Sequence, residues 1–249
     1  MMQSSEMQAN GRRWRWLQRG PLISPSLMCG DLLHLGEDIR ALEAAGADAL
    51  HVDMMDGHFV DNLAFSYDLL KQVRNATHLP IDVHLMMEHP EHAVERILAA
   101  GADLCIFHSE TTTSPIRLLR TIHASGAAAG IAINPVTTVE SIRLLLPMVQ
   151  MVMVMTVEPG FAGQRLFQFT LDKVGELAAL RNNLDLHFAI GIDGAVNKQV
   201  IDRASSLGAN FFVGGTSGVF LSDGTDFTQA IKDLKDAAEE GGKFSKGLE

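Results

Sequence analysis

Ala44-Ala45-Gly46-Ala47-Asp48 recurs as Ala99-Ala100-Gly101-Ala102-Asp103, and in weaker form as Ala124-Ser125-Gly126-Ala127 and Ser206-Leu207-Gly208-Ala209-Asn210. In each copy a glycine stands where a helix would end, and an apolar run follows. A helix C′ position favours positive φ, which glycine adopts without a Cβ penalty. The glycines are 55, 25 and 82 residues apart. Those gaps are close to two, one and three multiples of about 27, the length expected of one strand–helix unit of a barrel. The repeated unit is βα.

Working outward, apolar strands are expected at 22–26, 49–53, 81–86, 104–108, 128–133, 151–156, 187–192 and 210–213, eight in all. Helix-period segments lie between them, at 31–45, 90–100, 114–125, 167–181 and 198–207. Strict alternation with short linkers implies an α/β fold with a parallel sheet, and eight units imply a (β/α)8 TIM barrel over 21–238 as a single domain. A doubly wound open sheet is the alternative. Residues 1–20 carry Arg12, Arg13, Arg15, Arg19 and both tryptophans, Trp14 and Trp16. That segment lacks the apolar run of a secretory signal and reads as a loose basic extension rather than a targeting peptide. Residues 239–249, with Gly241-Gly242, read as a flexible tail.

With 249 residues, 47% of them hydrophobic, the chain can bury a barrel-sized core. A net charge of −10 argues against a nucleic-acid surface, since phosphate-backbone binding needs clustered basic charge. Cys29 and Cys105 form no CxxC pair, so neither a disulfide framework nor a thiolate zinc site is expected, as suits a reducing, cytoplasmic setting. No apolar run approaches the roughly 18 residues of a membrane span.

The chemistry starts at His51-Val52-Asp53-Met54-Met55-Asp56-Gly57, echoed by Asp82-Val83-His84-Leu85-Met86. Residues two apart on a strand share a face, so His51 and Asp53 point at one spot and His84 reaches it from a neighbouring strand. Asp193, ending the seventh expected strand, completes a His2Asp2 set for one divalent metal ion. Zinc takes such ligands readily; manganese, iron, cobalt and magnesium are compatible with them. A lone inward histidine is usually hydrogen-bonded core and a strand-end aspartate often caps a helix. It is their joint placement that argues for a metal. Glu158-Pro-Gly-Phe-Ala-Gly-Gln164 and Val213-Gly-Gly-Thr-Ser-Gly218 are glycine-rich loops on late strands, where barrels often hold phosphate. A helix starting at about Thr216 would aim its positive end at the anion.

Ser24-Pro-Ser-Leu27, His51 through Val60, His84-Leu-Met86, Asn134-Pro135, Val154 through Gln164 and Ile192-Asp-Gly194 together resemble the ribulose-phosphate 3-epimerase family, over roughly 21–235. The resemblance implies a metal held by His51, Asp53, His84 and Asp193, with Asp53 and Asp193 also the acid and base. Epimerising C3 of a 2-ketose needs a proton removed beside a carbonyl and one returned to the opposite face, hence two carriers. Metal at the C2 and C3 oxygens would stabilise the enediolate between those steps, and no organic cofactor is required. Substrate contacts are implied for Ser26, His84, Met55, Met86 and Met155. Phosphate contacts are implied for Gly160, Ala162, Gly163, Gly194, Gly215, Thr216 and Ser217.

The departures are informative. Gly160-Phe-Ala-Gly163 stands for the family's Gly-Phe-Gly-Gly, Asp193-Gly-Ala195 for Asp-Gly-Gly, and Gly215-Thr-Ser-Gly218 for a Gly-Ser-Ala segment. With Ser24-Pro-Ser-Leu-Met-Cys29, these look more like the allulose-6-phosphate 3-epimerase branch. Allulose 6-phosphate going to fructose 6-phosphate is therefore expected ahead of ribulose 5-phosphate going to xylulose 5-phosphate. Asp61 stands where the family usually has proline, which bears on a loop and not on the ligands. A barrel decarboxylase would need an Asp-x-Lys-x-x-Asp array, and His51-Val-Asp53 supplies no lysine. A non-catalytic sugar-phosphate binder would be expected to have lost one of the two aspartates. A homo-oligomer is expected, as family members commonly self-associate.

Overall fold

A computed structural model describes residues 14–245. Among these described residues nine strands run β1 (Leu22–Pro25), β2 (Leu50–Asp56), β3 (Leu63–Ala64), β4 (Ile81–Met86), β5 (Leu104–His108), β6 (Ala128–Ile133), β7 (Met151–Met155), β8 (Ala189–Asp193) and β9 (Phe211–Gly214). Their order is β1-β9-β8-β7-β6-β5-β4-β2-β3. All pairings are parallel except that of β3, a short antiparallel addition to the end of β2. The seam between β1 and β2 closes through a parallel bridge between Ser26 and His51. Asp48 stitches it further: its N–H donates to the Ile23 carbonyl at 3.0 Å, and its carboxylate accepts the Ile23 N–H at 2.9 Å. Eight parallel strands thus form the expected (β/α)8 barrel.

The helices are α1 (Leu35–Ala44), α2 (Tyr67–Ala76), α3 (Val94–Ala100), α4 (Pro115–Ala124), α5 (Leu171–Asn183), α6 (Lys198–Ser206) and α7 (Phe227–Ser245). Between β6 and β7 a 3-10 segment, Val139–Met148, takes the place of an α-helix and contains Pro147, which lacks the N–H that an α-helix would need there. The repeat glycines behave as their pattern demands: Gly46, Gly101, Gly126 and Gly208 have φ of 86°, 113°, 83° and 109°. The first helix starts later than its periodicity suggests. Residues 31–34 are held in a turn instead, with the Leu33 and His34 amides bonding back to Asp31.

Strands buried on both faces carry two apolar layers. Outward residues such as Val83, Phe107, Ile131, Val152 and Ile190 pack on Ile39, Leu70, Ile97, Leu119 and Leu177 of the helices. Inward residues, among them Leu22, Leu104, Ile106, Met151, Met153 and Phe211, fill the barrel below the strand ends.

Both termini differ from the sequence reading. The supposed extension 1–20 is partly core: Arg15–Gln18 form a 3-10 turn with Trp16 and Leu17 buried, and Trp16 meets Phe211 at 6.3 Å between ring centroids. They pack with Leu22, Ala49, Leu104, Ala128 and Ala189, near the start of each strand, and so plug the end of the barrel opposite the strand C-termini. Burying an indole outweighs the local basic character. Arg12 and Arg13 lie outside the described residues. The supposed tail from 239 continues α7 to Ser245. Gly241 acts there as a spacer, not a breaker, because a Cβ on it would come 2.3 Å from the Asp202 carbonyl oxygen of α6. Gly241→Ala is therefore expected to destabilise by about 1–3 kcal/mol through overpacking, more than the ~1 kcal/mol gained in helix propensity. Urea denaturation checks this; a stabilised variant would contradict the close approach. Among the described residues no helix is long and apolar enough to cross a membrane.

Candidate active site

The alternation of β2 and β4 places four polar side chains inside the barrel. In register, His51 lies beside Asp82 and Asp53 beside His84. Asp193 joins them from the end of β8. His51, Asp53, His84 and Asp193 each offer a ligand atom, all within 4.8 Å of one another. His51 Nε2 stands 3.2 Å from Asp53 Oδ1 and 3.8 Å from Asp193 Oδ2. His84 Nδ1 stands 3.6 Å from Asp53 Oδ1 and 3.4 Å from Asp193 Oδ2. This Nδ1 is buried without a hydrogen-bond partner. An orphaned imidazole nitrogen between two carboxylates, with a second imidazole beside it, is a donor set that fits a divalent cation.

Each histidine is held from behind. His51 Nδ1 donates to Asp82, whose other oxygen accepts the Ser24 hydroxyl at 2.6 Å. His84 Nε2 meets His108 Nε2 at 2.8 Å, and His108 Nδ1 faces Glu110 Oε2 at 3.5 Å. Ser26, read from the sequence as a substrate contact, donates its hydroxyl to Asp53 Oδ2 at 2.7 Å. Ser24, Asp82, His108 and Glu110 had no assigned role in the sequence reading. Asp82 was legible from the same period-2 spacing as His84. His108, alone in an apolar strand, reads as core.

Electrostatics point the same way. Burial would depress the affinity of His51 for a proton, but the charges of Asp53 and Asp82 prevail and hold its pKa well above the ordinary value. Burial opposes protonation of His84 too, and the nearby carboxylates of Asp193 and Asp53 outweigh it. For Asp53, burial is overcome by the charge and hydrogen bond of His51 and by the nearby His84, which hold its carboxyl well below the carboxylate range. The cage thus favours positive charge at its centre. Farther back, burial pushes His108 down to about 4 against the pull of Glu110. Glu110 falls to about 2, where the adjacent His108 and bonds from Thr137 and Asn134 overcome its own burial.

Above the cage a cleft opens at the strand C-termini. Its walls include Ser26, Asp53, Met55, Met86, Met155, Gly160, Ala162, Gly163, Asp193, Gly194, Gly215, Thr216 and Ser217, so the residues implied for catalysis and phosphate, and those implied for substrate except His84, share one cavity. His51 and His84 are fully buried and do not line it. Cys29, Ala195, Val196 and Gln164 also line it, without prior assignment. The loops after β7 and β8 are fastened together. Thr156 Oγ1 donates to the carbonyls of Asp193, at 2.9 Å, and Gly194. Gly194, at φ 112°, leaves no room for a Cβ, which would stand 2.5 Å from Val157. One expectation fails: no helix begins at Thr216. Residues 216–219 form a single turn closed on the Gly215 carbonyl, and the next helix starts at Phe227. Any phosphate there would meet loop amides rather than a helix end. Asp61 is exposed, while its neighbour Asn62 donates to the Gly160 carbonyl at 2.8 Å, joining the β2 loop to the β7 loop.

Residues 22–220 match the model of the Ribulose-phosphate 3 epimerase family. The ribulose-phosphate 3-epimerase of Treponema pallidum is 38% identical over 201 residues, covering 81% of this chain and 92% of that protein. The chloroplastic ribulose-5-phosphate-3-epimerase of Arabidopsis thaliana is 36% identical over 232 residues, covering 92% and 81%. Among solved structures, 3-keto-L-gulonate-6-phosphate decarboxylase from Vibrio cholerae superposes with a TM-score of 0.69 at 15% identity, over 88% of this chain and 98% of that one. That likeness shows the barrel fold alone.

Proposed function

Because the chain belongs to the ribulose-phosphate 3-epimerase family and is a ketose-phosphate 3-epimerase, we propose that Asp53 and Asp193 are its paired acid and base and that D-allulose 6-phosphate, converted to D-fructose 6-phosphate, is its preferred substrate. The observation that carries the acid–base assignment is the position of the two carboxylates on one cage at the floor of one cleft. One carboxylate removes the C3 proton and the other protonates the opposite face, the roles exchanging with reaction direction. Ser26 fixes Asp53 by occupying its Oδ2. His51, Asp53, His84 and Asp193 would hold the divalent ion, proposed to be zinc ahead of manganese, iron, cobalt or magnesium. That ion supplies positive charge to stabilise the negative charge that develops on the substrate oxygens. Met55, Met86 and Met155 present an apolar, polarizable wall that excludes water from the carbanionic centre. Amides of the glycine loops at 160–163, 194 and 215–217 receive the phosphate.

Support for a hexulose phosphate comes from where the departures fall. Cys29, Ala162, Ala195, Thr216 and Ser217 all lie on the cleft wall, where they set the room for the sugar. Ribulose 5-phosphate is the second reading, favoured by the names of the curated relatives. Side-by-side kcat/KM should favour allulose 6-phosphate at least about tenfold, ~1.4 kcal/mol of differential transition-state binding. A ratio of one or below overturns the hexulose assignment, and inactivity on both sugars overturns the epimerase. Two free thiols, Cys29 and Cys105, support a reducing compartment such as the cytosol. Exposed Leu144 and the stacked pair Phe167 and Phe169 support self-association into a homo-oligomer.

A further inference from the structure

We propose that His108 and Glu110 are positioning residues that select the tautomer of His84, so that Nδ1, and not Nε2, is the nitrogen this ring offers to the cation. The inference rests on the metal site proposed above. It starts from an asymmetry between the two histidines. His51 turns Nε2 toward Asp53 and Asp193, and its Nδ1 is committed to Asp82. His84 does the reverse: Nδ1 faces the carboxylates, and Nε2 is committed to another histidine.

A carboxylate can only accept from an imidazole N–H, so Asp82 fixes the His51 tautomer by itself. A histidine behind a histidine fixes nothing until its own proton is placed. Between His84 Nε2 and His108 Nε2, 2.8 Å apart, there is one hydrogen bond and hence one bridging proton. The ring planes are nearly parallel, 17° apart, with centroids 4.9 Å from each other. If the bridging proton belongs to His108, His84 accepts it at Nε2; a neutral His84 then carries its own proton on Nδ1, where it blocks the cation. If it belongs to His84, Nδ1 keeps its lone pair. The second arrangement needs His108 to carry its proton on Nδ1, and that buried atom, which makes no closer hydrogen bond, faces the charge of Glu110 Oε2 at 3.5 Å. Both histidines are fully buried, and the Phe59 ring lies 4.7 Å from that of His108.

Glu110 is itself anchored for this task. Its Oε1 accepts the Asn134 N–H at 2.8 Å and the Thr137 hydroxyl, leaving Oε2 for His108. Lys173 from α5 donates to the carbonyls of Asn134 and Pro135 at 2.8 and 2.7 Å, fixing the turn that holds Glu110. An ordered path therefore runs from the β6 loop through Glu110 and His108 to the metal-facing side of His84. Partners that orient a ligating histidine in this way typically contribute 10–100-fold in metal affinity.

Two measurements test the proposal. In 15N-histidine NMR spectra of the zinc-loaded protein, His84 should appear as the Nε2–H tautomer and His51 as the Nδ1–H tautomer; His84 coordinated through Nε2 overturns the inference and needs no variant. Glu110→Gln turns an amide donor toward His108, and His108→Phe keeps ring volume but accepts nothing. Both should bind zinc about 10–100-fold more weakly in competition with a chromophoric chelator, while circular dichroism stays that of the parent. Affinity within twofold of the parent in both variants overturns the positioning role. Failure of the parent chain to bind any divalent ion overturns the metal site and the inference together, an outcome distinct from tight binding that the variants leave unchanged.

Discussion

Asp193→Asn is expected to lower kcat by a factor of about 10²–10⁴, the usual contribution of a positioned proton carrier, with circular dichroism unchanged. The isosteric amide fills the same space, and the Asp193 and Gly194 carbonyls still receive Thr156. What is lost is a side chain able to accept and return a proton at the cleft, where Asp193 is 17% exposed. Asparagine also weakens a metal ligand, so the assay is run across a titration of divalent ion. A deficit that persists at saturation belongs to proton transfer. Recovery of the parent kcat at high metal would remove Asp193 from the acid–base pair.

His51→Ala should produce the largest loss of stability as well as loss of the metal. The fully buried Asp82 carboxylate would keep the Ser24 hydroxyl but lose its imidazole partner. Removing one member of a buried ionic pair costs about 3–5 kcal/mol, because the other is left as an uncompensated buried charge. For a chain of this size that is a fall in Tm of about 6–20 °C. Adding Asp82→Asn to His51→Ala removes the stranded charge and should recover at least half of the loss. Denaturant melts of the single and double variants, with metal content measured alongside, check both halves. A loss under about 1 kcal/mol in the single variant would contradict a buried ionic contact between His51 and Asp82.

Much of this architecture was written in periodicities. Gly46, Gly101, Gly126 and Gly208 marked helix ends because only a residue without Cβ sits easily at their φ, and their spacing carried the barrel. His51, Asp53, His84 and Asp193 were legible because the strand period of two gathers them on one side. What escaped depends on three-dimensional neighbours. His108 lies among apolar residues in sequence, and its meaning comes from a ring on the adjacent strand. Trp16 and Leu17 sit in an arginine-rich segment, yet they close the barrel because the open end needs apolar filling. Gly241-Gly242 looked like part of a flexible tail, and only the nearness of α6 shows Gly241 to be a contact. The segment 216–219 has a phosphate-loop composition, but whether such a loop continues into a helix depends on residues well downstream, and here it does not.

If Asp53 and Asp193 work opposite faces of the substrate, this cage removes and returns the C3 proton of a ketose phosphate through two carboxylates. The most direct measurement is NMR of allulose 6-phosphate, or of ribulose 5-phosphate if that sugar proves the better substrate, turned over by the metal-loaded protein in deuterated water. Loss of the C3 proton signal is expected, with one solvent deuterium at C3 in the epimerised product and none at other carbons. Epimerisation with the C3 hydrogen wholly retained, or deuterium entering at C1 instead, would contradict it.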